Sequence, residues 1–215
     1  MKQSIFSLEE QNRKTEIVNA CLQIMDSAGI KGLTVARIAQ EVGFSESALY
    51  RHFKSKNEII RFILEEASLM AEHQFQVVKD LDQDSRQQLR QLIQLHLEFL
   101  EDYPGIFRII YSDEIHIGES YLLEMLDKIV KQLIEFIRQI IEEGKLKGEI
   151  KPEVDSALAA IHCLGIIQTV FTYWTIKKRT ISLIQAGLNL LDQLMTGIAG
   201  KDKMLMEKRT GEKRD

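Results

Sequence analysis

Apolar residues recur every three or four positions along most of this 215-residue chain, which is the spacing of one face of a helix. The stripes and the polar breaks between them predict about nine helices, over residues 8–28, 35–42, 46–53, 56–79, 89–100, 104–111, 121–143, 152–176 and 181–198. No segment alternates apolar and polar residues at a period of two, so no sheet is expected. The pattern therefore predicts an all-α fold.

Capping residues and glycines mark where several of these helices begin and end. Thr34 and Ser45 precede apolar stripes and are expected to cap the second and third helices. Gly29 is expected to stop the first helix in a left-handed conformation, and Gly43 to end the second helix. The residues 55–58 have the capping-box pattern that opens the fourth helix, and Pro152 suits the first turn of the eighth.

Composition is typical of a soluble protein with its own core. Apolar residues make up 45% of the chain and charged residues 28%, and only 2 prolines occur. The two cysteines, Cys21 and Cys163, lie far apart and form no CxxC pair, which favours a reduced intracellular setting. Polar residues interrupt the longest apolar stretch, 154–176, and the N-terminus lacks an apolar run, so we predict a cytoplasmic protein without a membrane span.

Two short helices joined by a tight turn form a helix-turn-helix arrangement, in which the second helix enters the DNA major groove. On that second helix, Leu49 and Phe53 mark the inner face. The opposite face and the helix start carry groups suited to phosphates or base edges, namely Ser45, Glu46, Ser47, Tyr50, Arg51 and Lys54. From these residues alone, an ordinary solvated helix face is the alternative interpretation. The net charge of +1 over residues 1–65 is too small to decide between them.

Residues 34–56, TVARIAQEVGFSESALYRHFKSK, resemble the DNA-binding motif of the tetracycline-repressor (TetR) family. The matching positions are Thr34, Ile38, Ala39, Gly43, Ser45, Tyr50, His52, Phe53 and Lys56. Three positions depart from the family pattern: Val42 replaces Ala, Phe44 replaces Val, and Ser47 replaces a small Gly or Ala. The resemblance implies a dimeric, all-helical transcriptional regulator, usually a repressor that a small ligand releases from DNA.

The resemblance also implies roles for individual residues. Tyr50 and His52 are expected to bond DNA phosphates, and Thr34 to cap its helix and contact a phosphate. Lys56 is expected to contact a phosphate from the start of the long fourth helix, where the helix dipole also favours an anion. A homodimer of this kind is expected to bind double-stranded DNA at a roughly palindromic operator.

Three segments are predicted along the chain. Residues 8–65 form the N-terminal three-helix helix-turn-helix domain, and residues 66–200 form a larger helical bundle for ligand binding and dimerisation. Residues 201–215 are mostly polar and are predicted to be a disordered tail.

Catalytic and metal-binding motifs are missing from the sequence. There is no G-x-S-x-G, H-E-x-x-H, P-loop or G-x-G-x-x-G pattern. One predicted loop gathers acidic residues and a histidine without a metal-binding spacing: Asp113, Glu114, His116 and Glu119. We therefore predict neither an enzyme nor a metal or cofactor.

The second domain carries no diagnostic motif, and its candidate ligand site is a hypothesis from the helix stripes. The aromatic and single polar side chains proposed to line one pocket are His96, Phe99, Phe107, Tyr111, Met125, His162 and Ile166. No Lys or Arg lies on these stripes, so a small hydrophobic effector is expected. The same stripes are equally compatible with a closed core.

The last two predicted helices are apolar around most of their circumference, which favours burial against more than one neighbour. The residues proposed for a dimer interface are Ala160, Leu164, Phe171, Leu183, Leu190 and Leu194. In the resembling family, these last two helices form a four-helix interface with the partner.

Three classes of function stay open on the sequence. The first is a ligand-responsive repressor, and the second is an architectural or chromosome-organising protein whose helical domain binds a protein partner. The third is a small-molecule-modifying enzyme with an incidental helix-turn-helix. A repressor is expected to have an operator beside its own gene, an architectural protein many scattered sites, and an enzyme turnover.

Overall fold

A computed structural model describes residues 13–112, 115 and 120–199. These residues contain nine α-helices and one 3-10 turn, and they confirm the predicted all-α fold. In chain order the elements are α1 (Arg13–Ala28), η1 (Ile30–Gly32), α2 (Val35–Val42), α3 (Glu46–His52), α4 (Lys56–Lys79), α5 (Ser85–Asp102), α6 (Pro104–Ile110), α7 (Ser120–Leu146), α8 (Ser156–Ile176) and α9 (Leu183–Ile198). Among the described residues, β-pairing is limited to one isolated bridge between Ile150 and Ala199.

One compact unit comprises residues 1–72 and 99–129. Its core is built on α1, whose inner face withdraws Ile17, Cys21 and Met25 completely from solvent. Helices α2 and α3 pack against α1. Burial raises the pKa of the Cys21 thiol to about 12, so the thiol stays protonated and serves as a small core side chain.

Helix α6 packs on α1 within this unit, and this is the most extensive pairing of two helices in the described chain. Pro104 occupies the first turn of α6, as predicted, because its missing N–H leaves no unpaired donor there. Gly105 lies so close to the backbone of Leu22 that a Cβ atom on Gly105 would overlap the Leu22 carbonyl. A glycine is therefore required for α6 to approach α1 this closely.

The other compact unit comprises residues 73–98 and 130–215. Helices α8 and α9 pack on each other, and a Cβ atom on Gly187 in α9 would overlap the terminal methyl group of Leu97. Asp192 in α9 pairs with two arginines of α5, at 2.6 Å from Arg90 and 3.5 Å from Arg86.

The start of α8 corrects one sequence prediction. Pro152 lies in a turn, and α8 begins four residues later, at Ser156. Asp155 is the N-cap, because its carboxylate accepts the N–H groups of Ala157 at 2.9 Å and Leu158 at 3.1 Å. The helix therefore begins where the Asp155 side chain can accept its first backbone N–H groups. The fixed φ of Pro152 does not determine the helix start.

Other element ends differ from prediction by a few residues. Helix α7 runs past Gly144 to Leu146, and α9 begins at Leu183 behind the N-cap Ser182. Predictions for residues 8–12, for the tail 201–215 and for most of the loop at 112–120 lie outside the described residues. The domain boundary at 65–66 stays a prediction.

Candidate nucleic-acid interface

Local capping fixes the geometry of the two short helices. The Thr34 hydroxyl accepts the N–H of Arg37 at 3.3 Å and so caps α2, as predicted. At the other end, Gly43 adopts φ +77°, and the N–H of Phe44 donates to the carbonyl of Ala39 at 2.8 Å. This is the Schellman arrangement, which turns the chain sharply into α3.

Helix α3 separates an apolar inner face from a polar outer face. Leu49 and Phe53 are 2% and 3% exposed, whereas the ring of Tyr50 between them is 50% exposed. The other predicted contact residues of this face, Ser47, Arg51 and Lys54, are also exposed. The structure therefore brings together a phenol, a guanidinium, an ammonium and a hydroxyl on one open surface, which suits phosphates and base edges.

The start of α3 is partly committed to its own cap. The Ser45 hydroxyl accepts the N–H of Ala48 at 3.2 Å, and it lies 3.0 Å from the Ser47 hydroxyl. Glu46 is exposed beside them in the first turn of the helix. Either serine can contact a base only if its hydroxyl also serves this local hydrogen-bond network. Glu46 can accept a hydrogen bond from a base amino group without losing a bond within the described residues.

Lys56 opens α4, and its ammonium already has a partner in the protein. The Nζ atom donates to the carbonyl of Ile30 in η1 at 3.1 Å, and the side chain is half-buried. The capping box differs in one bond from the predicted pattern: Ser55 accepts the N–H of Glu58 at 3.2 Å, but Glu58 accepts the N–H of Lys54, at 2.6 Å. The phosphate contact expected at Lys56 stays a prediction, because its ammonium can donate three hydrogen bonds in all.

A ring contact behind His52 was not predicted from the sequence. The rings of Phe44 and His52 are stacked, with centroids 6.1 Å apart and planes inclined by 28°. Both side chains are half-buried, so the imidazole lies at the edge of the outer face of α3. The indication of this contact in the sequence was Phe44 itself, which stands where the family pattern has the smaller Val.

Two further exposed cations near the predicted phosphate contacts were not among the residues predicted from the sequence. Lys31 and Arg37 are exposed, on η1 and α2 respectively. The sequence contains one indication of such a role, which is that both residues lie within six positions of Thr34, where a phosphate contact is predicted. Lys14 in α1 lies over the rings of Phe53 and Phe62, at 5.6 and 5.7 Å from their centroids. That cation supports the inner face of α3.

The residues proposed for a ligand pocket divide between the two compact units. Phe99, Phe107, Tyr111 and Met125 belong to the unit that contains α1, and His96, His162 and Ile166 belong to the other. In the first, Phe107 and Tyr111 pack with centroids 4.4 Å apart. The prediction that His162 lies on an interior stripe is wrong for the chain described, because its side chain is exposed on α8. As a common lining, these seven residues stay a prediction.

His96 is held in an apolar environment of α5. Burial lowers the pKa of its imidazole to about 4, so the ring is neutral near neutral pH. Its Nδ1 atom lies 3.4 Å from the side-chain oxygen of Gln74, whose amide nitrogen donates to the carbonyl of Leu95 at 3.2 Å. The Gln74 side chain therefore offers a hydrogen-bond partner to the half-buried imidazole.

Three of the six residues proposed for a dimer interface are buried inside the chain itself. Ala160 and Leu183 have no exposed surface, and Phe171 is 4% exposed, so their assignment to an intermolecular surface is wrong. A helix that is apolar all round gives no sequence signal for which side its own chain covers. Leu164 and Leu194 are half-buried, and Leu190 is 39% exposed.

The outward apolar surface of α8 lies at other positions. Leu158, Ile161 and Ile176 are 57%, 51% and 70% exposed. By length and composition α8 is apolar enough to cross a membrane, with a mean hydropathy of 1.4 over 18 residues, of which 39% are buried inside the chain. A core helix passes the same test, so this finding does not distinguish a bilayer from another protein surface.

The described residues hold no group of three or more His, Cys, Asp or Glu side chains able to bind a metal ion. The predicted loop with Asp113, Glu114, His116 and Glu119 lies outside them.

Comparison with known proteins agrees with this geometry. The family model of bacterial regulatory proteins of the tetR family matches residues 17–62, and the model of the C-terminal region of YsiA-like proteins matches residues 65–197. The chain therefore belongs to the TetR family of DNA-binding regulators.

Relatives and solved structures of this family resemble the chain over most of its length. The nucleoid occlusion factor SlmA of Vibrio vulnificus is 31% identical over 163 residues, covering 74% of this chain and 82% of SlmA. The ketosteroid regulator KstR2 of Mycobacterium tuberculosis has a TM-score of 0.77 at 17% identity, covering 90% of this chain and 98% of its own. The regulator FadR of Bacillus subtilis, solved in complex with stearoyl-CoA, has a TM-score of 0.70 at 23% identity, covering 86% and 100%.

Proposed function

We propose that this protein is a homodimeric repressor of transcription that a small hydrophobic ligand releases from its operator. The single observation that carries the DNA-binding part is the outer face of α3. There Ser47, Tyr50, Arg51 and Lys54 are exposed together, while Leu49 behind them fixes the helix to the core. The site of action is the cytoplasm, where the DNA is.

Dimer formation is supported by the outward face of α8. Leu158 and Ile161 are more than half exposed and lie one helical turn apart, and Ile176 continues the apolar surface at the end of the helix. An apolar surface of this kind marks an interaction site on a protein that stays in solution. A two-fold dimer reads two half-sites, and we therefore expect a roughly palindromic operator.

The ligand-responsive part rests on two observations. FadR of Bacillus subtilis shares this fold and was solved in complex with stearoyl-CoA, so the fold accommodates a guest with a long apolar chain. In this chain, Phe107 and Tyr111 form an aromatic pair, and both belong to the residues predicted to line a pocket.

A ligand releases the operator only to the extent that it binds the DNA-free conformation more tightly than the DNA-bound one.

A second candidate function comes from the relatives at about 31% identity, which are named nucleoid occlusion factors. Under this alternative the protein binds many chromosomal sites, and its helical region binds a protein partner. The DNA-binding face of α3 serves either function equally well, so the distribution of sites on the chromosome decides between them.

The test is to purify the tagged protein from its own cells after crosslinking and to sequence the DNA bound to it. A repressor gives a few strong sites near promoters, including that of its own gene, and one shared palindromic sequence. Many sites scattered outside promoters favour the alternative. A variant with Tyr50→Ala and Arg51→Ala is the control, because its DNA should show no enrichment. If wild-type protein also enriches no sequence, both DNA-binding proposals are wrong.

A further inference from the structure

In the described part of the chain, a concave cleft lies between η1 and α6. Its volume is about 350 Å³, within the usual range for small-molecule sites. The residues that line it are Gly29, Ile30, Lys31, Phe107, Arg108, Tyr111 and Ser112. All seven belong to the same compact unit.

The backbone around the cleft is well fixed. Gly29 has φ +68° and ψ 179°, a conformation that is essentially confined to glycine, and a Cβ atom there would point into open space. Ile30 and Ser112 are each 7% exposed and form its buried side. The Ser112 hydroxyl accepts the N–H of Ile115 at 3.3 Å, which orders the chain after α6.

Two cations line the cleft from opposite elements. Lys31 extends from η1 and Arg108 from α6, and both side chains are exposed. Within the described residues, neither side chain has a hydrogen bond or an ion pair. Two like charges on one small concave surface repel each other, so an anion held between them is electrostatically favoured. The guanidinium adds a planar fork that suits a carboxylate or a phosphate.

The same cleft offers a flat apolar surface. The rings of Phe107 and Tyr111 lie 4.4 Å apart at an angle of 35°, and Tyr111 is 48% exposed. The exposed ring of Tyr111, packed on the half-buried Phe107, provides a stacking surface for a further planar ring. A charged group and a planar ring are therefore both accommodated within one small site.

We infer that this cleft binds a small aromatic acid, that is, a planar ring carrying a carboxylate or a phosphate group. The anionic group lies between Lys31 and Arg108, and the ring packs on Tyr111. This ligand differs in chemistry from the hydrophobic effector proposed above, and its binding requires neither DNA nor a dimer. Both ligands would use the Phe107–Tyr111 pair, so failure of this proposal leaves the DNA-binding part of the proposed function standing.

The experiment titrates 2-naphthoate into the ¹⁵N-labelled full-length protein and follows amide shifts by NMR. We expect saturable shifts at the amides of Gly29, Lys31 and Ser112, with a dissociation constant on the order of 1 mM or tighter for a ligand of this size. The neutral 2-naphthamide has the same shape and should bind about fivefold more weakly or worse. Equal affinity of acid and amide overturns the proposal, because the anionic group would then contribute nothing.

Substitutions separate this site from adventitious binding. Lys31→Gln and Arg108→Gln should each weaken 2-naphthoate by about three- to fivefold, because each removes one exposed charge from the anion site. Lys128→Gln, at an exposed lysine of α7, is the matched control and should leave affinity unchanged. Unchanged affinity in both Lys31→Gln and Arg108→Gln, or shifts confined to other amides, means adventitious binding only and overturns the proposal. A parallel titration with 2-naphthyl phosphate then assigns the anionic group, since the tighter of the two acids identifies it.

Discussion

Helices α2–α3 and helices α8–α9 differ in how much of their structure is determined locally. Capping hydroxyls fix the starts of α2 and α3, a left-handed glycine fixes the end of α2, and Leu49 gives α3 one unambiguous inner side. Helix α8 is apolar on every side, and one part of that surface is buried by its own chain while Leu158 and Ile161 face outward. Local interactions determine the ends and the inner face of α2 and α3. Which face of α8 is buried depends on the helices that pack around it.

The largest expected effect follows from truncating the inner side of α3. Leu49→Ala should lower the free energy of unfolding by about 2–5 kcal/mol, because it removes a fully packed side chain and leaves a cavity. Chemical denaturation followed by circular dichroism measures this change. The control is Leu146→Ala, at a leucine that is 88% exposed, which should change stability by less than about 0.5 kcal/mol. Equal effects of the two substitutions would contradict the assignment of the inner face.

A second effect of nearly this size concerns acid stability around His96. The pKa of the folded imidazole is about 4, below the ordinary value of 6.5, so the unfolded chain binds the proton more readily. Stability is therefore complete above pH 6.5 and falls as the pH drops towards 4, by up to about 3 kcal/mol from this group. Unfolding curves between pH 7 and 4.5 measure the slope. His96→Gln should flatten it, and His73→Gln, at an exposed histidine, should not.

The outward face of α8 gives a smaller effect of a different kind. Leu158→Glu should weaken the dimer at least about tenfold, because it places a charge on an apolar interface, while the fold of the single chain is preserved. Sedimentation velocity over a range of concentrations measures the dissociation. Glu153→Gln, at an exposed position in the turn before α8, serves as the control. An unchanged sedimentation coefficient for Leu158→Glu would place the dimer interface elsewhere.

The smallest effect distinguishes two helix ends of the same type. Helices α2 and α8 both end in a Schellman arrangement, but the left-handed position is Gly43 in α2 and Lys178, with φ +50°, in α8. Lys178→Gly should therefore stabilise the protein by about 0.5–1 kcal/mol, because glycine adopts this conformation without strain. Gly43→Ala should destabilise it by a similar amount. Thermal unfolding measures both, and a loss of stability in Lys178→Gly would contradict the argument.

The sequence was most informative where a single residue determines local geometry. Thr34, Gly43 and Ser45 predicted both ends of α2 and the start of α3, because helix caps and left-handed turns depend on adjacent atoms only. Pro152 misled the prediction for α8, since the competing acceptor at Asp155 satisfies two backbone N–H groups that proline cannot.

The candidate sites were less accessible from the sequence. The outer face of α3 followed from spacing, because the helix is short and has one clear inner side. The burial of Ala160 and Phe171 could not be predicted, because both flanks of α8 are equally apolar. The cleft beside η1 joins residues more than 70 positions apart, and no periodicity connects Lys31 with Arg108.

The central claim is that the outer face of α3 binds DNA, and the most direct test measures operator affinity by fluorescence anisotropy at several salt concentrations. Tyr50→Ala combined with Arg51→Ala should weaken binding by about ten- to a hundredfold and reduce the salt dependence, because fewer counterions are released. Tyr121→Ala combined with Lys128→Ala, at exposed positions of α7, should leave both unchanged. If the α3 variant binds the operator like wild type with the same salt dependence, α3 is not the DNA-binding helix.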